Sequence, residues 1–131
     1  MPKGKGWTAL TPDEHVYAAP SWRPDEPHRR LFELPAHSQL AHSRAHVWRF
    51  PAGAKGRRHL HTQQEEVFVV LDGTFTMELG EERERVVLPA RSVVVLTPNT
   101  PIQIFNETDA DAVAFMYGVP PVTGDGVILE D

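Results

Sequence analysis

The chain has no cysteine among its 131 residues. That removes disulfides, thiolate metal ligands and a cysteine nucleophile together, and it fits a protein of the reducing cytoplasm. Long apolar runs are missing too. No stretch approaches the roughly 20 residues of a membrane span, and the opening Met-Pro-Lys-Gly-Lys-Gly-Trp lacks the apolar centre of a signal peptide. Basic charge is in short supply: 18 acidic against 13 basic side chains give a formal charge of −5, which leaves no footprint for nucleic acid. Helical signals are scarce as well, since no segment keeps a helical apolar period between caps, and nothing repeats internally. What remains is one domain, long enough to bury its own core without staples.

What the sequence does hold is a succession of short β-forming runs. The clearest is Ala45-His46-Val47-Trp48-Arg49-Phe50, closed by Pro51-Ala52-Gly53. Leu31 to Leu34 offers an earlier strand, and others are predicted near residues 57–61, 66–71, 74–79, 84–88, 92–96, 101–106 and 112–118. Turn signals separate them at Asp72-Gly73, read as a tight hairpin turn, Gly80-Glu81-Glu82, Pro89-Ala90 and Pro98-Asn99. Short strands at such spacing predict an all-β antiparallel barrel or sandwich. Residues 1–29 read as an arm, because Pro12, Pro20, Pro24 and Pro27 each remove a backbone donor. Residues 30–119 read as the barrel, and residues 120–131 as a tail ending in a short edge segment.

One cluster carries chemistry. His59 and His61 are one residue apart, so an extended strand puts both on the same face. Glu66 follows after a short bend and opens the apolar run Val67-Phe68-Val69-Val70-Leu71. Neutral imidazole and carboxylate are ligand types for a divalent transition metal. The plain alternative is two surface histidines beside a surface glutamate. Just upstream, the basic Lys55-Gly56-Arg57-Arg58 could attract an anionic ligand, or could be a solvated loop.

Gly53, His59, His61, Glu66 and Gly73 together resemble the first motif of the cupin superfamily, matching all five of its fixed positions. The resemblance implies a single-domain cupin, a double-sheet jelly-roll β-barrel, with His59, His61 and Glu66 as metal ligands. The ion would be iron, manganese, nickel or zinc. The second cupin motif is degraded. Its best placement puts Arg91 and Asn99 at the two glycines and Ile102 where the family has a fourth ligand histidine, keeping only Asn106. A shift by one residue would put Gln103 there instead. Isoleucine coordinates nothing; glutamine could offer a carbonyl oxygen.

Around the site, His46, Trp48 and Phe50 share one parity of their strand and are expected to face inward. The expected substrate pocket comprises His46, Trp48, Phe68, Met77, Ile102 and Gln103, with Phe105, Phe115 and Tyr117 as further apolar candidates. Gln63 and Gln64 read as loop surface, and Glu65 as solvent-facing. Two function classes stay open, and the resemblance adds a third, a metal-free epimerase using His59 or His61 as base. One is a metal-dependent enzyme, of dioxygenase or isomerase type, on a small organic substrate, with Glu66 leaving the metal to act as catalytic base. The other is a metal-free cupin that binds a sugar or phenolic without catalysis. By resemblance, the expected partners are a small-molecule ligand and a second copy of the chain, in a homodimer whose proline-rich arm packs on its partner.

Overall fold

Alternation along the strands decides which side chains reach the interior. In the computed structural model, which describes residues 2–122 and 124–130, the arm opens with β1 (Lys3–Gly4) and β2 (Trp7–Thr8), followed by a single 3-10 turn at Pro12–Glu14. Then come β3 (Arg30–Glu33), the one-turn helix α1 (Leu34–His37), β4 (Arg44–Phe50), β5 (Arg58–His61), β6 (Glu65–Asp72) and β7 (Thr74–Leu79). The chain continues through β8 (Glu84–Pro89), β9 (Val93–Leu96), β10 (Ile102–Phe105), β11 (Ala112–Val119) and β12 (Gly126–Glu130). Met1, at the start of the arm, and Thr123 and Asp131, in the tail, lie outside the described residues.

The large strands form two antiparallel five-stranded sheets, ordered β12-β5-β10-β7-β8 and β3-β4-β11-β6-β9. Phe50, Phe68, Phe75, Met77, Ile102 and Met116 are among the apolar side chains that fill the space between them. This is the all-β antiparallel architecture that the strand spacing predicts, and the double-sheet jelly roll that the resemblance implies. The Asp72-Gly73 pair, however, is not a hairpin turn. It joins β6 of one sheet to β7 of the other, so it makes a corner. Gly73 takes φ 73° there, and an added Cβ would stand 2.7 Å from the Asp111 carbonyl oxygen. Only glycine meets both demands. The charged Glu81–Arg85 run does form the tip between β7 and β8, where Arg83 donates to both Glu130 carboxylate oxygens, at 2.7 and 2.9 Å.

Asn106, the residue kept from the second motif, is fully buried. Its Nδ2 donates to the carbonyls of Phe50, Pro51 and Ala110, and its Oδ1 accepts from Thr108, so it pins the loop after β10. Arg91 and Asn99, in the two glycine places of that motif, have φ of 76° and 66°. The backbone thus keeps the left-handed turns although the glycines are gone.

The arm folds onto its own barrel. Ala18 bridges to Leu31, Pro20 is buried, and His15 and His37 stack against Phe32 at ring separations of 5.0 and 4.7 Å. Glu26, 4% exposed, fastens the end of the arm by accepting from Arg29 Nε at 2.7 Å, Arg23 Nη1 at 3.2 Å and the backbone N–H groups of His28 and Arg29. Burial works against ionisation of Glu26, but these hydrogen bonds outweigh it and hold the carboxyl below its ordinary range.

Candidate metal centre

His59 and His61 project from β5, and Glu66 from the start of β6 in the opposite sheet. One donor atom from each lies within 4.8 Å of the others. His61 Nε2 stands 3.7 Å from Glu66 Oε1. The parity argument extends to the carboxylates: Glu66 is 4% exposed, whereas Glu65 faces solvent.

The far nitrogens of both rings are already engaged. His59 Nδ1 donates to the Arg57 carbonyl oxygen at 2.9 Å, and His61 Nδ1 to Asp125 Oδ1 at 3.0 Å. Since a carbonyl and a carboxylate only accept, each Nδ1 carries a proton, which leaves Nε2 as the atom whose lone pair a metal would take. Burial, with the charges of His61, Arg29 and Arg44 adding to it, holds the His59 imidazole below the usual histidine range. Burial also pushes the Glu66 carboxyl up, against the pull of His61 and Arg44. Imidazoles oriented from behind, facing a buried carboxylate, fit the donor set of a divalent transition metal.

Asp125 is the residue that the sequence reading missed. It comes from the turn before β12, which pairs with β5 and so lays the tail beside the two histidines. Asp125 is 5% exposed and also accepts from the backbone N–H groups of Gln63 and Gln64, at 3.2 and 3.0 Å. Burial opposes its charge, but the hydrogen bonds from His61, Gln64 and Gln63 prevail and hold its carboxyl low. The only sequence signal was an aspartate between two glycines in a segment with no other feature. Gln64 corrects the expectation of a surface residue. It is 1% exposed, donates to the Pro120 carbonyl at 2.9 Å, and accepts from Arg44 at 3.4 Å. Gly118 lets it in, for a Cβ there would sit 2.5 Å from the Gln64 amide carbon.

A cavity of about 600 Å³ adjoins the three donors. His46, Trp48 and Phe68, expected in the pocket, line it, together with Phe50, Ile104 and Met116. Met77, Ile102 and Gln103, also expected there, do not. Met77 and Ile102 are packed in the core between the sheets, at 0% and 1% exposure. Ile102 pairs with His59 in the register of β10 on β5, at the family's fourth-ligand place, without a donor atom. Gln103 has the opposite parity and gives its amide to the Gly56 carbonyl at 2.9 Å. Phe105, Phe115 and Tyr117 lie off the cavity as well. Its rim comes from the arm, with Trp22, Arg23 and Arg29, and from the tail, with Val122 and Asp125. Arg57, from the basic patch before β5, is also part of the wall.

His46 is 2% exposed, and burial holds its imidazole down at about 3, with Arg44 adding to the effect. It is therefore neutral at physiological pH.

The cupin domain family matches residues 46–118. Comparison with curated proteins finds no match. Among solved structures, a polyketide cyclase, RemF from Streptomyces resistomycificus, superposes with a TM-score of 0.78 at 10% identity, over 94% of this chain and 85% of that one. A sugar phosphate isomerase of the cupin superfamily from Silicibacter pomeroyi gives 0.73 at 20% identity, over 86% and 75%. KdgF from a Halomonas species gives 0.71 at 21% identity, over 89% and 96%. At these identities the likeness speaks for the fold alone. The family match spans more than half of the residues and lies on this jelly roll, so the chain belongs to the cupin domain family.

Proposed function

We propose that the protein is a metal-dependent cupin enzyme. His59, His61 and Glu66 hold a divalent transition metal, and a small organic molecule in the adjoining cavity is oxidised by dioxygen or isomerised. One observation carries this reading: three donors within 4.8 Å of one another, with the outer nitrogen of each imidazole already committed. Iron, manganese, nickel and zinc all suit two imidazoles and a carboxylate. When bound, such an ion supplies Lewis acidity and a fixed point for substrate oxygens.

The chain's own residues do the rest. The Arg57 carbonyl and Asp125 fix the two rings. Glu66, on leaving the metal during turnover, would take a proton from a carbon next to a carbonyl and return it to the neighbouring carbon. Trp48 and Phe68 keep that wall of the cavity dry. Small-molecule chemistry in the similar proteins, a sugar phosphate isomerase and a polyketide cyclase, supports a substrate of this size. The uncharged outer strip of Leu71, Val93, Val95 and Tyr117 supports a homodimer.

A second reading rests on Ile102. With an apolar side chain in the family's fourth-ligand place, the barrel would bind a sugar or phenolic without a metal. Calorimetry decides between them. Zinc, manganese and anaerobic iron(II) are titrated into the metal-stripped wild type and His59→Ala. The enzyme reading expects micromolar or tighter binding of at least one ion, weakened about 100-fold or more by the substitution. If no ion binds the wild type, the metal-free reading replaces it.

A further inference from the structure

Resting on the reading of the cavity as a substrate site, we infer that its ligand is an organic anion, whose carboxylate or phosphate group is held by Arg44, with the unmet N–H of His46 open to another acceptor of the same ligand. The neighbours of Arg44 carry the argument. Its guanidinium lies 5.1 Å from the Trp22 ring centre, donates to His46 Nε2 at 3.2 Å, and reaches Gln64 Oε1 at 3.4 Å. All three are neutral. Among the described residues no carboxylate hydrogen-bonds to Arg44, although Glu66 feels its charge. Several other arginines are matched: Arg23 and Arg29 share Glu26, Arg49 meets Asp111, and Arg83 meets Glu130. A half-buried guanidinium set among neutral groups favours an anion brought from outside.

His46 supplies an independent observation. Arginine can only donate, so Nε2 of His46 accepts and its proton sits on Nδ1. That Nδ1 is buried without a hydrogen-bond partner, on a ring that is 2% exposed and lines the cavity. Nδ1 lies on the side of the ring away from Nε2 and Arg44, so it is a separate unmet donor in the same cavity wall rather than one fork with the guanidinium. Arg29, 5.2 Å from the Trp48 ring centre, adds positive potential to the same cavity. The aromatic faces of Trp22, Trp48 and Phe68 would take the organic body, which a cavity of about 600 Å³ accommodates. A neutral sugar could accept from these N–H groups but would leave the charge of Arg44 unmatched.

Two of the three tryptophans line the cavity, so indole fluorescence reports binding. Metal-stripped and zinc-loaded protein are each titrated with three ligand sets. These are benzoate against benzamide, glucuronate and glucose 6-phosphate against glucose, and inorganic phosphate. The expected result is that at least one anion binds about tenfold or more tightly than its neutral counterpart, and that Arg44→Gln removes the preference. Arg44→Lys, which keeps the charge, should retain part of it. A carboxylate ligand is indicated if benzoate or glucuronate leads, and a phosphate ligand if glucose 6-phosphate or phosphate does. Equal binding of charged and neutral probes, no binding of any anion at millimolar concentration, or an undiminished preference in Arg44→Gln would each overturn the inference. His59→Ala separates the two claims: it should abolish zinc binding while leaving the anion preference of the stripped protein in place. Zinc binding without any anion preference would sink this inference and leave the metal reading standing.

Discussion

Arg91 and Asn99 show how single residues keep a turn alive after its usual occupant is lost. Both hold left-handed backbone, at φ 76° and 66°, a conformation that costs a residue with a Cβ about 1–2 kcal/mol. The turn at Asn99 bears directly on the site, because its N–H donates to the His61 carbonyl at 2.7 Å and so fixes the strand that carries both histidines. Arg91 is the better test, since asparagine tolerates this conformation and arginine does not. Replacing Arg91→Gly should raise stability by about 0.5–1 kcal/mol, the strain relieved minus the extra freedom glycine gives the unfolded chain. Urea unfolding would read this as a higher midpoint at unchanged slope. A lower midpoint would mean that no strain is stored there. Asn99→Gly should change less.

At the scale of elements, the strands from β3 to β11 were legible because β-forming runs stand between turn residues, and several, such as β6 and β9, alternate buried and exposed side chains. Gln64 was misread for a reason that lies outside its own segment: the room for its side chain is made by Gly118, on a different strand. Asp72-Gly73 looked like a hairpin because a corner between sheets and a turn within one ask for the same positive φ. Tail and arm escaped because their roles come from long-range closure. Pairing of β12 with β5 brings Asp125 to His61 across 64 positions of sequence, and no local pattern encodes that. The element therefore predicts its own test. In Asp125→Asn the amide oxygen can still accept from the backbone of Gln63 and Gln64, so the fold should survive. The charge behind His61 is gone, however, and zinc affinity should fall about 10–100-fold by calorimetry. An unchanged affinity would reduce Asp125 to a structural pin.

The molecule as a whole has two unlike surfaces. Inside, arginines, histidines and aromatic rings converge on one cavity, rimmed by the end of the arm and by the tail. Outside, the sheet that ends in β9 presents Leu71, Val93, Val95 and Tyr117, which are between 40% and 68% exposed, with no charged side chain interleaved on the outward face of β9. Among the described residues no strand pairs with β9 on its other side, so β9 is an edge strand. An edge strand with an apolar outer face is what soluble proteins avoid leaving uncovered. A second copy, meeting the same strip about a two-fold axis, would cover both. Light scattering should then give the wild type twice the mass of one chain. Val93 and Val95 are exposed in the single chain, so Val93→Lys with Val95→Lys should leave its folding nearly untouched while returning the mass to that of one chain. A wild type that scatters as a single chain, or a double variant that stays paired, would remove this face as the dimer contact. The cavity lies on the other side of that sheet, so zinc and anion binding should pass through the substitution unchanged.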